Sequence, residues 1–215
     1  MLRFVVMAAG KASRMGQDKL SLPWGDTTIL GHVLRTLKLA IREHSRGANH
    51  QEVHCEILVI APKACSAYRL GEEGNFLIHD DFIASNCQWI QSELGQPLSQ
   101  TIRSGLKDYS LDGPGICFIP GDQVGMDEQT LARMIQIFIE EVPDFLVPKA
   151  LEVIGSPVFF HSRYISELMN LQGEQGGKQV LNRYRERWVS FPVPDGFFLD
   201  IDTMTEYLSH RPKLG

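Results

Sequence analysis

Short apolar runs alternate along the chain with longer stretches that are apolar on one side only. Residues 2–7 are apolar apart from Arg3, the pattern of a strand covered on both faces. Residues 27–42 place Ile29, Val33, Leu34, Leu37 and Ile41 on one side at helical spacing. Residues 57–61 predict a second buried strand, ended by Pro62, and residues 76–78 a third. A helix is expected over 98–109, with Ile102 and Leu106 on one side, then a central strand over 115–119. Another helix is expected over 127–141, with Asp127 placed to cap it. Residues 145–147 and 158–160 read as short strands. The last third is less regular: helices over 162–171 and 177–185, a strand-like run over 188–193, and a short helix after Thr203. The polar stretch 42–54, which holds His44, His50 and His54, reads as a solvated loop.

Strands alternating with helices predict an α/β fold: a mostly parallel, Rossmann-like sheet with helices on both faces, a three-layer α/β/α sandwich. The 215 residues suit one domain, and 43% hydrophobic residues can fill its core without a disulfide or a metal. A net charge of −5 argues against nucleic acid or a membrane surface as partner, since both favour a basic face. Cys55, Cys65, Cys87 and Cys117 are widely spaced with no CxxC pair, so neither a zinc site nor a redox motif is expected. The opening residues are interrupted too soon, by Gly10 and Lys11, for a signal peptide, and no apolar run approaches a membrane span. A cytoplasmic protein is the expectation.

The chemistry is concentrated in MAAGKASRMGQDKLSLP, residues 7–23, directly after the first strand. In an open α/β sheet ligands bind at the carboxyl ends of strands. Ala8, Ala9 and Gly10 are small, so backbone can approach a ligand closely, and Lys11, Arg14 and Lys19 supply cations nearby. Such a loop suits a polyphosphate. It is not a P-loop, because Met15 stands where GxxxxGK[ST] needs glycine, and it is not GxGxxG, because position 12 is Ala12.

This stretch resembles the signature loop of the MobA-like nucleotidyltransferases, roughly (L/M)AAGxSxRMGxxKxLLP, and within them the molybdenum cofactor cytidylyltransferase branch. Ala8, Ala9, Gly10, Ser13, Arg14, Met15, Gly16, Lys19, Leu20, Leu22 and Pro23 all match. The resemblance implies the nucleotide-diphospho-sugar transferase type of fold. It implies that Arg14 and Lys19 grip the triphosphate and that backbone from Ala8 to Gly10, with Ser13, lies against the nucleotide. The guanylyltransferase branch typically carries AGG where this chain has Ala8-Ala9-Gly10, which tilts the nucleotide towards CTP.

Later segments extend the match over residues 3–208. GQPLSQTIRSGL, residues 95–106, resembles a loop entering a helix beside the base, with Ser99 and Thr101 as nucleotide-binding candidates. FIPGDQVG, residues 118–125, resembles the (A/G)DQP motif, with Val124 in place of proline, and brings Asp122 to the sheet edge as a ligand for Mg²⁺. LDIDTMTEYL, residues 199–208, resembles the closing DIDTPEDL motif. Asp200 and Asp202 alternate along an expected strand, so one of them should face the metal; Asp202 is preferred and Asp200 is the alternative. GSPVFF, residues 155–160, and GEQGGK, residues 173–178, depart from the family's GHPvlf and GDxGar through Ser156, Glu174 and Lys178, where the acceptor should bind.

The expected enzyme is a Mg²⁺-dependent nucleotidyltransferase that moves a nucleoside monophosphate, CMP from CTP, onto a phosphorylated acceptor, the molybdopterin of the molybdenum cofactor, and releases pyrophosphate. Arg14, Lys19 and Asp122 are its catalytic candidates. Residues 1–125 form the nucleotide half of the domain and 126–215 the acceptor half. A molybdoenzyme receiving the product is the implied partner. Guanylyl transfer, a sugar phosphate or methylerythritol-type acceptor, a non-catalytic nucleotide-binding protein and a cofactor-handover protein are the alternatives.

Overall fold

Residues 2–7 are apolar on both sides, and the fold is laid out around them. The computed structural model describes residues 1–10, 18–46, 53–62 and 87–212. Strand β1 (Leu2–Met7) is followed by a small hairpin of β2 (Pro23–Trp24) and β3 (Thr27–Thr28), and by helix α1 (Ile29–Arg46). Then come β4 (Cys55–Pro62), β5 (Cys87–Ser92), α2 (Leu98–Leu106), β6 (Gly115–Pro120) and α3 (Glu128–Glu141). The last third holds β7 (Phe145–Ala150), β8 (Val153–Ile154), β9 (Val158–His161), α4 (Ile165–Met169), α5 (Gly177–Arg183), β10 (Trp188–Pro192) and α6 (Met204–His210).

Among the described residues the main sheet runs β10-β7-β9-β6-β1-β4-β5, with β8 beside β7. β1 pairs in parallel with β4 and β6, and β4 in parallel with β5. β10 is parallel to β7, whereas β9 runs antiparallel to both β6 and β7. The period-two alternation of β1 divides the interior into two layers. Phe4 and Val6 enter one core with Leu34 of α1 and Phe138 of α3; Val5 enters the other with Ile102 of α2, Leu168 of α4 and Leu181 of α5. The result is the expected three-layer α/β/α sandwich on a mostly parallel sheet. Asp127 caps α3, its carboxylate accepting from Thr130 N at 2.8 Å. No helix among the described residues is long and apolar enough to cross a membrane.

Several boundaries depart from the sequence expectation. The helix over 27–42 starts later and runs further, as Ile29–Arg46. The β-branched Thr27 and Thr28 pair with the strand before them, and Thr28 Oγ1 accepts from Gly31 N at 3.0 Å as the cap of α1. The first part of the stretch read as a loop, 42–46, is therefore helical, and His44 is buried at 6% exposure. Helix 98–109 ends at Leu106 and helix 177–185 at Arg183, and helix 162–171 divides into a 3-10 turn over Ser162–Tyr164 followed by α4. β5 has no counterpart in the sequence reading. Its polar residues Gln88, Gln91 and Ser92 leave only Trp89 and Ile90 as an apolar pair, with Trp89 37% exposed. The strand expected over 76–78 lies outside the described residues.

Candidate active site

The site begins where β1 leaves the sheet. Ala8 N donates to Ile60 O at 2.9 Å and Gly121 N to Met7 O at 3.0 Å, so the segments after β1 and β6 leave the carboxyl edge side by side. Ala8 and Ala9 are buried, and a side chain at Gly10 would meet no described atom within 4 Å. The entry to α2 closes from the other side, with Gly95 N donating to Ala9 O at 3.1 Å. Gly121 is confined: a Cβ there would stand 3.1 Å from Met7 O, so the chain turns into Asp122 tightly against β1.

Three separate segments deliver charge to this edge. Lys19 opens a 3-10 turn, Lys19–Ser21, capped by the Asp18 carboxylate and anchored by buried Leu20. Its Nζ donates to Asp202 Oδ1 at 3.0 Å and forms a close ion pair with Asp122 Oδ2. Asp122 follows β6, and its carbonyl accepts from Ile201 N at 3.2 Å, which fastens the chain bearing Asp202 beside it. A capping box then fixes Asp202: Glu206 Oε2 accepts from Asp202 N at 3.0 Å, Thr203 N at 2.8 Å and Thr203 Oγ1 at 2.9 Å. Residues 19, 122 and 202 thus meet although they are far apart in sequence.

The electrostatics follow from this crowding. Burial works against the Lys19 ammonium, but the Asp122 carboxylate and then Asp202 outweigh it and hold its pKa above the ordinary value. Burial, and then the charges of Asp122 and Asp202, push the Asp200 carboxyl above its ordinary pKa. Asp122, Asp202 and Lys19 are thus all among the charges that act on Asp200. Residues two apart in extended chain share a side, and it is the buried Ile201 between them that points away into the core. That segment is also not a strand, since it follows the 3-10 turn Asp195–Phe198 without pairing to the sheet.

The remaining candidates divide. Ser99 and Thr101 are both buried near the start of α2. The Thr101 hydroxyl accepts from Gln96 Nε2 at 3.0 Å, and the Ser99 hydroxyl has no hydrogen-bond partner among the described residues. Ser13 and Arg14, like Lys11, lie outside the described residues. Two positioning groups escape sequence reasoning. Gln123, 3% exposed, donates through Nε2 to Ser156 O at 2.7 Å and Phe197 O at 3.0 Å. The only cue to it is an amide beside Asp122 in the motif. His32 on α1 contacts Val124 O through Nε2 at 3.2 Å. Burial, and then the Arg35 charge, hold its pKa below the ordinary value, so the neutral ring carries its proton on Nε2 and donates.

The donor set fits a hard divalent cation. Three carboxylates, Asp122, Asp200 and Asp202, share one neighbourhood with the Lys19 ammonium. Among the described residues no three His, Cys, Asp or Glu side chains are grouped closely enough to enclose a metal on their own. Two carboxylates completed by substrate oxygens is the arrangement magnesium favours.

A lysine and carboxylates meeting at the carboxyl edge of an α/β sheet suit a ligand that carries phosphate oxygens. The chain belongs to the MobA-like NTP transferase domain family, whose model matches residues 4–188. It is 25% identical to the purine catabolism protein PucB of Bacillus subtilis (strain 168) over 205 residues, 94% of this chain and 92% of that protein. Its fold matches Rv0371c of Mycobacterium tuberculosis H37Rv with a TM-score of 0.74 at 24% identity, covering 97% of this chain and 96% of the other. The structure of Rv0371c in complex with manganese also matches with a TM-score of 0.74, at 22% identity and 99% coverage of both chains.

Proposed function

We propose that this nucleotidyltransferase moves CMP from CTP onto a phosphorylated small molecule, molybdopterin being the acceptor that the sequence resemblance favours, and releases pyrophosphate. The observation that carries this reading is the convergence of Lys19, Asp122 and Asp202 at the carboxyl edge of β1 and β6. A bound Mg²⁺, held by Asp122 and Asp202, would supply positive charge to the phosphate oxygens. The manganese complex of Rv0371c supports the use of a divalent ion. The acceptor phosphate oxygen attacks the α-phosphorus, the bond to the bridging oxygen of the β-phosphate breaks, and pyrophosphate leaves with that electron pair. An ionised phosphate is already nucleophilic, so no general base is needed, and the chain's task is to position and neutralise. Lys19, fully protonated in this setting, stabilises charge on the α-phosphate together with Arg14. Backbone of residues 8–10 lies against the base, with Ser13, Ser99 and Thr101 beside it. Residues 1–125 hold the nucleotide and 126–215 the acceptor.

The test is a panel of CTP, GTP, ATP and UTP with purified protein, Mg²⁺ and molybdopterin, read by pyrophosphate release. CTP should be the preferred donor. Lys19→Ala and Asp122→Ala should each lower the rate by about 10²–10³ with the fold intact by circular dichroism. Nucleotide binding without pyrophosphate from any acceptor, or wild-type turnover in either variant, refutes the reading.

A further inference from the structure

Lys19 Nζ serves two carboxylates at once. It donates to Asp202 Oδ1 at 3.0 Å and forms a close ion pair with Asp122 Oδ2. The two acids are fixed by their backbones: Asp122 O accepts from Ile201 N at 3.2 Å, and Asp202 N donates to Glu206 Oε2 at 3.0 Å. The ammonium instead ends a flexible four-carbon stem, so Lys19 is the movable member of the three. The Asp202 side chain is 44% exposed against 16% for Lys19, so the pair is approached past Asp202. On the proposed reaction the same two acids hold the divalent ion, and Lys19 attends the α-phosphate. Those tasks exclude the contacts just described. Magnesium binds carboxylate oxygens at roughly 2.0–2.1 Å. An ammonium seated on those oxygens would stand within contact range of a doubly charged ion, and like charges at that distance repel. Divalent ion and ammonium therefore compete for Asp122 and Asp202.

We propose that Lys19 is an exchangeable counter-ion: it occupies Asp122 and Asp202 until a divalent cation displaces it, and it then transfers to the phosphates of the nucleotide. The inference rests on the nucleotidyl-transfer reading above and adds how loading of that site is regulated. A cation arriving alone must expel Lys19 with no anion to receive it, so it binds weakly. A nucleotide arriving alone must draw Lys19 off two carboxylates that are left unpaired, so it also binds weakly. Together, each supplies what the other displaces, and binding is cooperative and reciprocal. The protein thereby passes over free cation and takes the cation with its nucleotide. The contrasting arrangement is a Lys19 that stays on the carboxylates and only repels the cation. Such a fixed charge weakens cation binding equally with and without nucleotide, whereas exchange lifts the penalty once nucleotide is bound.

The experiment measures Mn²⁺ binding, with free ion counted by electron paramagnetic resonance, for wild type and Lys19→Gln. Each is titrated alone and with saturating α,β-methylene CTP or α,β-methylene GTP, whose α–β bridge cannot be cleaved, against a protein-free control. Without nucleotide, Lys19→Gln should bind Mn²⁺ about tenfold or more tightly than wild type, because the competitor is gone. With nucleotide that advantage should disappear, so the coupling between cation and nucleotide should be about tenfold larger in wild type. Mn²⁺ alone should also raise the melting temperature of Lys19→Gln by more than that of wild type. Lys19→Arg keeps a cation for the acids, and its bidentate fork should hold them more firmly, so it should bind Mn²⁺ more weakly than wild type without nucleotide. Equal Mn²⁺ affinity in the three proteins without nucleotide overturns the proposal, as does a Lys19→Gln advantage that persists undiminished with nucleotide. Nucleotide binding with unaltered coupling sinks this inference alone. If neither nucleotide binds wild type, the nucleotidyl-transfer reading falls and this inference falls with it.

Discussion

Asp200 carries an electrostatic cost that its neighbours make legible. Although Asp200 is an exposed residue, partial desolvation of its carboxyl and the charges of Asp122 and Asp202 raise its pKa, while Lys19 relieves it only in part. A carboxyl whose pKa is higher folded than unfolded holds its proton more tightly in the native state. Its favourable contribution is then complete below the unfolded pKa and is lost as pH rises through the folded one. Ionised Asp200 therefore opposes folding at neutral pH. Asp200→Asn should raise the melting temperature near neutral pH, and the gain over wild type should vanish by about pH 3, where both states are protonated. Asp26 and Glu206 have lowered pKa values and lose stability on acidification, but they are common to both proteins and cancel in the difference. Thermal melts across pH decide the point: a variant less stable than wild type at neutral pH would show that Asp200 is held by partners and is not crowded.

Single elements show why some of the fold could be read from sequence and some could not. β1, β4 and β6 are covered on both faces, so they appear as continuous apolar runs, and α3 announces itself through Asp127 and an apolar stripe. β5 ends the sheet among the described residues, and Gln88, Gln91 and Ser92 interrupt its apolar positions, so it has no such run. In the site, Lys19 and Asp122 were legible because each sits in a local motif at a strand exit. Their contact was not, because it depends on tertiary pairing. Nor was the way α6 secures Asp202. The capping box uses one carboxylate, Glu206, for Asp202 N, Thr203 N and the Thr203 hydroxyl. Removing it frees the start of α6 and the backbone of Asp202 together. Glu206→Ala should lower the melting temperature and, on the proposed reaction, should also raise the divalent-cation concentration needed for half-maximal activity. An unchanged metal requirement would confine Glu206 to helix capping.

At the scale of the molecule, three loops from distant parts of the chain must hold one geometry, and a single buried amide links them. Gln123 follows Asp122 and donates both amide hydrogens, to Ser156 O and to Phe197 O in the turn that leads to Asp202. An acceptor-only group cannot satisfy two carbonyls. Gln123→Met keeps the volume but leaves both carbonyls unpaired, at about 1–3 kcal/mol each. Gln123→Glu is nearly isosteric, yet its carboxylate would face two carbonyl oxygens, so at neutral pH it should be the less stable of the two. The repulsion raises the pKa of that carboxyl in the folded state, so the deficit should shrink as pH falls and the protonated acid regains one donor. The expected order of melting temperature near neutral pH is wild type, then Gln123→Met, then Gln123→Glu, with the last pair reversing on acidification. The same substitutions should lower kcat more than they weaken nucleotide binding, because they loosen Asp122 relative to Asp202 and the segment of Ser156. If both variants melt with wild type, the coupling between the charged edge and the segment of Ser156 resides elsewhere.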